Sequence, residues 1–190
     1  MDYSLPNPAV SQMRKYFQTY QQTIYPLVAQ AITQNQTQKL YGMHGLNTHT
    51  ASVVFRGIDF ALSINQDPIP VIFACAFHDM ARTNDGFDTE HGRHAVPMAT
   101  QIMQQFNLSD EIKQSIIFAI ENHTTGTDAP DYISGALWGA DRVRLSQLYN
   151  YDEKYYSNPR AKQIASLKNY EQYLEFQRQC FPNIHWDKIY

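Results

Sequence analysis

A His-Asp dipeptide, His78-Asp79, lies at the end of an otherwise apolar run that extends from Pro68 to Phe77. Prolines at positions 68 and 70 suit the first turn of a helix, and the pattern predicts a helix that continues to about Ala81. On that helix both polar side chains share a face with apolar residues and point toward the core. Because an unpartnered buried carboxylate is costly, Asp79 must meet a cation, a set of hydrogen-bond donors or a metal ion.

Four other segments place a histidine or an aspartate at one end of an apolar helical face. A lone histidine in such a position is more often a hydrogen-bonded core residue than a ligand. Together, however, the set contains four imidazoles and two carboxylates, a mixture that suits Fe, Mn, Co, Ni or Zn. The absence of a cysteine cluster from the sequence argues against a structural zinc site. The predicted metal ligands are His49, His78, Asp79, His91, His123 and Asp141.

The order of these residues resembles the HD-domain metal-dependent phosphohydrolase superfamily over roughly residues 44 to 148. The motifs that carry the resemblance are His44-Gly45-x-x-x-His49, then His78-Asp79-x-x-Arg82-x-Asn84-Asp85-Gly86-x-Asp88-x-Glu90-His91-Gly92, and finally Ala140-Asp141-Arg142-x-x-Leu145. They are similar to a bacterial HD subgroup with an HDSRR-NDG-DPEHG pattern. His91-Gly92 and the segment 123–126 are also similar to the HD hydrolases that split diadenosine tetraphosphate.

The resemblance implies an all-α HD-domain helical bundle that holds one or two divalent transition metal ions. It assigns four residues to one ion and two imidazoles to a second, with Asp79 as the bridge between the ions. The four are His49, His78, Asp79 and Asp141, and the two are His91 and His123. Two positions depart from the family pattern and put its phosphate contacts in doubt. Ser52 stands where relatives often have arginine, and Gly139 replaces an aspartate that often precedes Ala-Asp.

Further site residues are predicted around these ligands. Arg82 and Arg142 could clamp a substrate phosphate, or they could neutralise loop carboxylates in a structural network, namely Asp85, Asp88 or Glu90. His44 is expected to contact substrate or to support a ligand, and a simple helix-entry role is the alternative. Glu90, or Asp88, could orient the attacking water or protonate the leaving group, unless these carboxylates are merely solvated. The predicted catalytic residues are therefore Asp79, Glu90 and Arg82, and the predicted substrate contacts are His44, Arg82 and Arg142.

Apolar periodicity predicts the elements that position these residues. We expect a first helix from about Pro8 to Thr33 and another from about Thr48 to Ile64. The segment 82–90 is too long and too charged for a tight turn between helices, so it is predicted to be the active-site loop. Ser109 is the expected cap of the helix that leads to the fourth histidine ligand.

The remaining segments are predicted to flank the HD core. A Gln/Asn-rich stretch, 33–38, is expected to be a surface connection. Tyrosines between positions 149 and 156 introduce one more helix, which contains the apolar residues from Ile164 to Phe176. These tyrosines are expected to pack against the bundle, with stacking on a base or sugar as the alternative.

Composition and charge argue against several classes of function. A net charge of −3 and a pI near 6.1, without a Lys/Arg cluster, give no electrostatic footprint for duplex nucleic acid or anionic lipid. The sequence has neither an apolar run of about 18 residues nor a cationic signal segment, so no membrane association is expected. Two cysteines do not make a disulfide framework, which favours a reducing cytoplasm. The length of 190 residues predicts a single HD-type domain and leaves the oligomeric state open.

The leading hypothesis is a metal-dependent phosphohydrolase that hydrolyses a small phosphate ester or anhydride, nucleotide-like in character, by attack of metal-bound hydroxide. Two alternatives remain open. Some HD-fold proteins resemble this chain in ligand order but use a mixed-valence di-iron pair to activate oxygen and cleave C–C or C–P bonds. A regulatory module that binds a nucleotide without turnover is the other alternative, although binding alone does not need the complete ligand set.

Overall fold

The structure is a computed structural model that describes residues 6–34, 43–148, 151–167 and 170–184. All regular elements within these ranges are helices, which confirms the predicted all-α architecture. The predicted Gln/Asn-rich connection falls mostly outside the described residues, as does Tyr149. Of the helices that are described, none is long and apolar enough to cross a membrane.

The described part of the chain contains ten α-helices. In chain order they are α1 (Val10–Thr19), α2 (Tyr25–Gln34), α3 (Ala51–Leu62), α4 (Pro68–Phe77), α5 (His91–Met103), α6 (Asp110–Asn122), α7 (Tyr132–Arg142), α8 (Leu145–Leu148), α9 (Pro159–Leu167) and α10 (Tyr170–Cys180). Two π-helical segments, Tyr20–Ile24 and Leu46–Thr50, directly precede α2 and α3. A 3₁₀ turn spans Glu153–Tyr155.

The predicted first helix is present, but it is not α-helical throughout. A π-helical segment separates α1 from α2, and the N–H of Tyr25 donates to the carbonyl of Tyr20, five residues earlier. Pro26 accounts for this widening because it has no N–H to donate and its ring crowds the carbonyl of Gln22. Apolar periodicity alone predicts the helix but not the change in its hydrogen bonding.

Helices α3 and α4 form the centre of the bundle. Residues 51–61 of α3 are all buried, and in α4 every residue except Ile69 is buried. A helix that is buried on all faces belongs inside the protein, which explains the nearly continuous apolar run before the His-Asp dipeptide. Helix α3 packs against α1, α4 and α7, while α4 also packs against α6 and α7, and α5 packs against α6. The helices that carry the predicted ligands are therefore neighbours.

The C-terminal region contains two described helices, α9 and α10, where the sequence predicted one. Helix α9 begins at Pro159, which suits a first helical position, and Asn158 Oδ1 accepts the N–H of Arg160 at 2.9 Å. Upstream, Tyr156 is buried and its ring stacks on that of Tyr151, with centroids 5.5 Å apart. This stacking supports the packing interpretation for these two tyrosines.

Candidate metal centre

The six predicted ligands converge although they come from five different places in the chain. Each lies at or near the end of a helix, where a side chain can reach past the packed helical bodies into a shared space. His49 lies in the π-helical segment before α3, His78 and Asp79 follow α4, His91 opens α5, His123 follows α6, and Asp141 is the next-to-last residue of α7.

Helix α4 ends at Phe77 and not near Ala81, which corrects the predicted boundary. The Nδ1–H of His78 donates to the carbonyl of Cys75 at 2.8 Å. In a continuing α-helix that carbonyl would accept the N–H of Asp79, so the imidazole competes for the bond that would extend the helix. The dipeptide therefore lies in the turn after α4, where both side chains are buried as predicted.

A close approach of α5 and α6 brings His91 and His123 together. A Cβ at Gly92 would overlap the carbonyl oxygen of Ile120 and would lie within 3.0 Å of His123 Nδ1. Only glycine fits a crossing this close. Gly92, directly after His91, therefore helps to position the imidazoles of His91 and His123.

The first donor cluster consists of His49, His78 and Asp141, whose ligand atoms all lie within 4.8 Å of one another. His49 Nε2 is 3.1 Å from Asp141 Oδ1, and the Nε2 atoms of the two histidines are 3.3 Å apart. The second cluster consists of Asp79, His91 and His123. There, His91 Nε2 lies 2.9 Å from Asp79 Oδ1, and the two Nε2 atoms are 2.7 Å apart.

The two oxygens of Asp79 face different clusters. Oδ2 lies 3.3 Å from His78 Nε2 and 3.5 Å from His49 Nε2. Oδ1 lies 2.9 Å from His91 Nε2 and 3.8 Å from His123 Nε2. One carboxylate thus lies between two pairs of imidazoles, that of the first cluster and that of the second, which is the placement required of a bridging ligand.

The hydrogen bonds on the far side of the imidazoles show that this donor set suits cations. The Nδ1–H groups of His78, His91 and His123 donate to backbone carbonyls at 2.8, 2.6 and 2.7 Å. A neutral imidazole that donates from Nδ1 presents a lone pair at Nε2. The Nε2 atoms of His91 and His123 face each other at 2.7 Å, and in the neutral form both would offer a lone pair to one metal ion.

Electrostatics keep these donors in the form that binds metal. Burial raises the pKa of Asp79 and of Asp141, but nearby imidazoles outweigh it and hold both pKa values well below the usual range. Burial, together with the neighbouring His78, lowers the pKa of His123 to about 4. At neutral pH the carboxylates are therefore ionised and His123 is neutral, as coordination requires.

A cavity of about 520 Å³ opens onto both donor clusters. Arg82 lines it, and its Nε donates to Asp79 Oδ1 at 2.9 Å while Nη1 donates to the carbonyl of Gly86 at 3.0 Å. The predicted loop 82–90 is thus tied to Asp79. The network alternative assumed a loop carboxylate as the partner of this arginine, whereas the observed partners are Asp79 and a backbone carbonyl.

Arg142 and His44 also line the cavity, and each has a polar partner elsewhere in the protein. The guanidinium of Arg142 donates to the carbonyls of His123 at 2.6 Å and Tyr155 at 3.1 Å. It therefore positions a predicted ligand. His44 Nδ1 is 3.2 Å from Asp85 Oδ1, so the imidazole connects the segment before α3 to the loop 82–90. Burial lowers the pKa of His44.

The predicted role of Glu90 does not agree with its placement. Its side chain is 53% exposed, is paired with Arg93 at 3.3 Å, and is absent from the wall of the cavity. Its neighbour Asp88 accepts the N–H of Glu90 at 2.8 Å through Oδ1, and its carbonyl accepts the Nδ1–H of His91. Asp88 therefore fixes the turn just before α5 and orients a predicted ligand.

Four cavity residues were not among the predicted site residues: Met43, Thr124, Arg144 and Leu145. Three of them had a signal in the sequence, since Leu145 closes the motif that begins at Ala140. Thr124 directly follows His123, and Arg144 lies three residues after Asp141, a spacing that places two side chains on the same side of a helical turn. Gly139, one of the departures from the family pattern, is explained by packing, since a Cβ there would lie 2.6 Å from the Cβ of Ala161.

Comparison with known proteins agrees with this architecture. A family model described as HD domain matches residues 46–166, and because the match covers more than half of the chain, the protein belongs to the HD domain family. One similar solved structure is that of a predicted HD superfamily hydrolase from an uncultured Thermotogales bacterium, with a TM-score of 0.59 and 19% sequence identity. The alignment covers 84% of this chain and 90% of that one, and it supports the fold. No curated protein matches the chain.

The family and the site together define a coarse class. HD-domain membership and two clusters of His and Asp donors that could hold metal ions indicate a metal-dependent hydrolase. The assignment of individual residues as ligands, catalytic groups or substrate contacts remains a prediction.

Proposed function

We propose that the protein is a phosphohydrolase that acts on a small phosphate ester or anhydride, nucleotide-like in character. The observation that carries this proposal is the position of Asp79, whose two oxygens face separate donor clusters. A pair of divalent ions held there would supply a nucleophilic water at neutral pH and would neutralise charge on the phosphoryl oxygens.

The protein's own groups prepare this site in three ways. Backbone carbonyls fix three imidazoles with their Nε2 atoms toward the centre, so the donors are oriented before any ion binds. Arg82 holds Asp79 through Oδ1 and places a positive charge on the cavity wall. Arg144 adds a further guanidinium to the same wall, and guanidinium groups match phosphoryl oxygens in geometry and charge.

A metal and substrate screen tests the proposal. Protein purified without chelator would be supplied with Mn²⁺, Co²⁺, Ni²⁺ or Fe²⁺ and assayed for phosphate release from nucleotides, dinucleotides and aryl phosphates. We expect metal-stimulated turnover that is absent from an Asp79→Ala control. Turnover no higher than that of the control with every metal would contradict the proposal, and tight nucleotide binding without turnover would support a regulatory module instead.

An oxygen-dependent reaction is distinguished by running the assay anaerobically. Hydrolysis needs no oxidant, so turnover with a redox-inert metal should persist without oxygen. Activity that requires iron and consumes oxygen, together with a mixed-valence signal in electron paramagnetic resonance, would favour the di-iron alternative.

A further inference from the structure

Two large apolar side chains are exposed within the wall of the metal-centre cavity. Among the described residues, Met43 and Leu145 are 61% and 47% exposed, and both line this cavity. Single exposed apolar residues are normal on protein surfaces and need no explanation. These two differ because they line the same cavity as the imidazoles and carboxylates of the donor clusters. The lining of the cavity is therefore partly polar and partly apolar.

The size of the cavity shows that the apolar wall has room for a ligand group. Its volume of about 520 Å³ lies within the range of pockets that enclose whole small molecules, about 300–1,000 Å³. A phosphoryl group at the donor clusters would fill only part of this space. Met43, Leu145 and Arg144, the residue before Leu145 in the chain, line the same cavity and are available to contact the rest of a ligand.

The chemistry of these three side chains favours a flat ring over an aliphatic chain. A planar guanidinium stacks on aromatic faces, and a methionine thioether makes favourable contacts with aromatic rings. Leu145 contributes apolar area without a polar atom that would need a partner. A sugar or another hydroxyl-rich group would gain little from such a wall.

We infer that the substrate carries an aromatic ring on the group attached to its phosphoryl centre, and that Met43, Arg144 and Leu145 form the subsite for this ring. This inference rests on the proposed function, because the phosphoryl group must lie at the donor clusters for the ring to reach the wall. It assigns Met43 and Leu145 as specificity-determining residues.

Binding of phosphonates tests the subsite without turnover, because a P–C bond resists hydrolysis. Calorimetry on the Mn²⁺-loaded protein would compare methylphosphonate, phenylphosphonate and 2-phenylethylphosphonate, the last two differing in the distance from ring to phosphorus. We expect at least one aromatic ligand to bind on the order of tenfold more tightly than methylphosphonate. The variant pair Met43→Gln and Leu145→Asn, which preserves size, should reduce this preference to about twofold or less.

The control is Phe118→Gln, because Phe118 is 42% exposed but lies on α6 outside the cavity wall. It should leave the preference for aromatic ligands unchanged, and all variants should keep the metal content and the methylphosphonate affinity of the wild type. Equal binding of all three phosphonates, or a preference unaffected by the Met43 and Leu145 substitutions, would overturn the subsite while leaving the proposed function intact. If no phosphonate binds the metal-loaded protein, the phosphoryl site itself fails.

Discussion

Helix α3 borders two buried polar clusters that differ in how their charges are compensated. The first is the candidate metal centre, to which His49 contributes from the segment just before α3. The second, the Arg56–Asp59–Arg160 cluster, starts from two charged residues that lie on α3 and are fully buried. Both clusters place charge in the core, so burial alone does not distinguish them.

The Arg56–Asp59–Arg160 cluster is closed by the protein's own charges. Arg160 Nε donates to Asp59 Oδ2 at 3.2 Å, and Arg56 donates to the carbonyl of Ala140 at 2.6 Å and to Tyr170 Oη at 2.7 Å. Burial raises the pKa of Asp59, and Arg160 opposes this effect. Both guanidinium groups therefore donate to acceptors that the protein itself supplies, which is the pattern of a structural network.

The candidate metal centre is matched only in part. Arg82 supplies one cation, but the remaining groups are carboxylates and imidazoles whose Nε2 atoms converge. The two clusters differ in the groups that are in excess: cations in the structural cluster, and acceptors in the ligand site. This difference separates one kind of cluster from the other. A buried excess of acceptors is completed by a cation from outside the chain.

The largest effect is expected for Asp79→Asn. The amide keeps the shape of the side chain but removes the anionic bridge, so turnover should fall on the order of 10³-fold or more while the fold stays intact. Phosphate release measures turnover, and the circular dichroism spectrum shows whether the fold is intact. Turnover near that of the wild type would show that this carboxylate does not bridge.

The matching change in the Arg56–Asp59–Arg160 cluster should act on stability and not on metal. Arg160→Leu leaves Asp59 buried without its cation, which should lower the free energy of unfolding by roughly 3–5 kcal/mol. Denaturant unfolding measures this loss, and metal analysis of the same sample should show wild-type content. An Asp59→Asn, Arg160→Leu double variant should recover part of the stability, because no uncompensated charge remains. Loss of metal from the single variant would break the distinction between the clusters.

Metal removal should destabilise the protein by a smaller amount. An ion present at about 100 times its dissociation constant stabilises the folded state by about 2.7 kcal/mol. For a chain of this length, chelation should therefore lower the melting temperature by roughly 5–10 °C. In the Arg160→Leu variant, chelation should lower the melting temperature by the same amount, starting from that variant's lower value. Equal melting temperatures with and without metal would contradict a folded-state metal site.

The smallest effect is expected for Glu90→Gln. Because the side chain is more than half exposed and pairs with Arg93, kcat/KM should stay within about twofold of the wild type. A loss of 100-fold or so would restore the catalytic role that the sequence suggested for this residue. Arg93→Gln is the control, since it removes the partner but not the carboxylate.

Much of this site could be predicted because its signal is local. Each ligand interrupts an apolar face at a helix end, and the period of that face shows on which side the side chain lies. The all-α fold and the convergence of six donors follow from such patterns together with the family resemblance. The burial of His78 and Asp79 follows in the same way, even though the predicted end of α4 was wrong.

The remaining features depend on contacts that no local pattern encodes. The end of α4 is decided by a side chain that competes for a backbone carbonyl, and the widened turn before α2 by a proline in an otherwise regular helix. Glu90 carries a catalytic type of group, yet only the direction of its side chain excludes it from the cavity. Arg144 has the correct spacing from Asp141, but its position on the wall depends on how α7 continues into α8.

Metal stoichiometry in the wild type and in two variants tests the central claim, that Asp79 joins two ion sites, most directly. After equilibration with Mn²⁺ or Co²⁺ and removal of free ion, elemental analysis should find about two ions per wild-type chain. Asp79→Asn should hold at most one ion, and His123→Ala should hold about one, since only the second cluster loses a donor. An Asp79→Asn protein that keeps two ions would contradict the account.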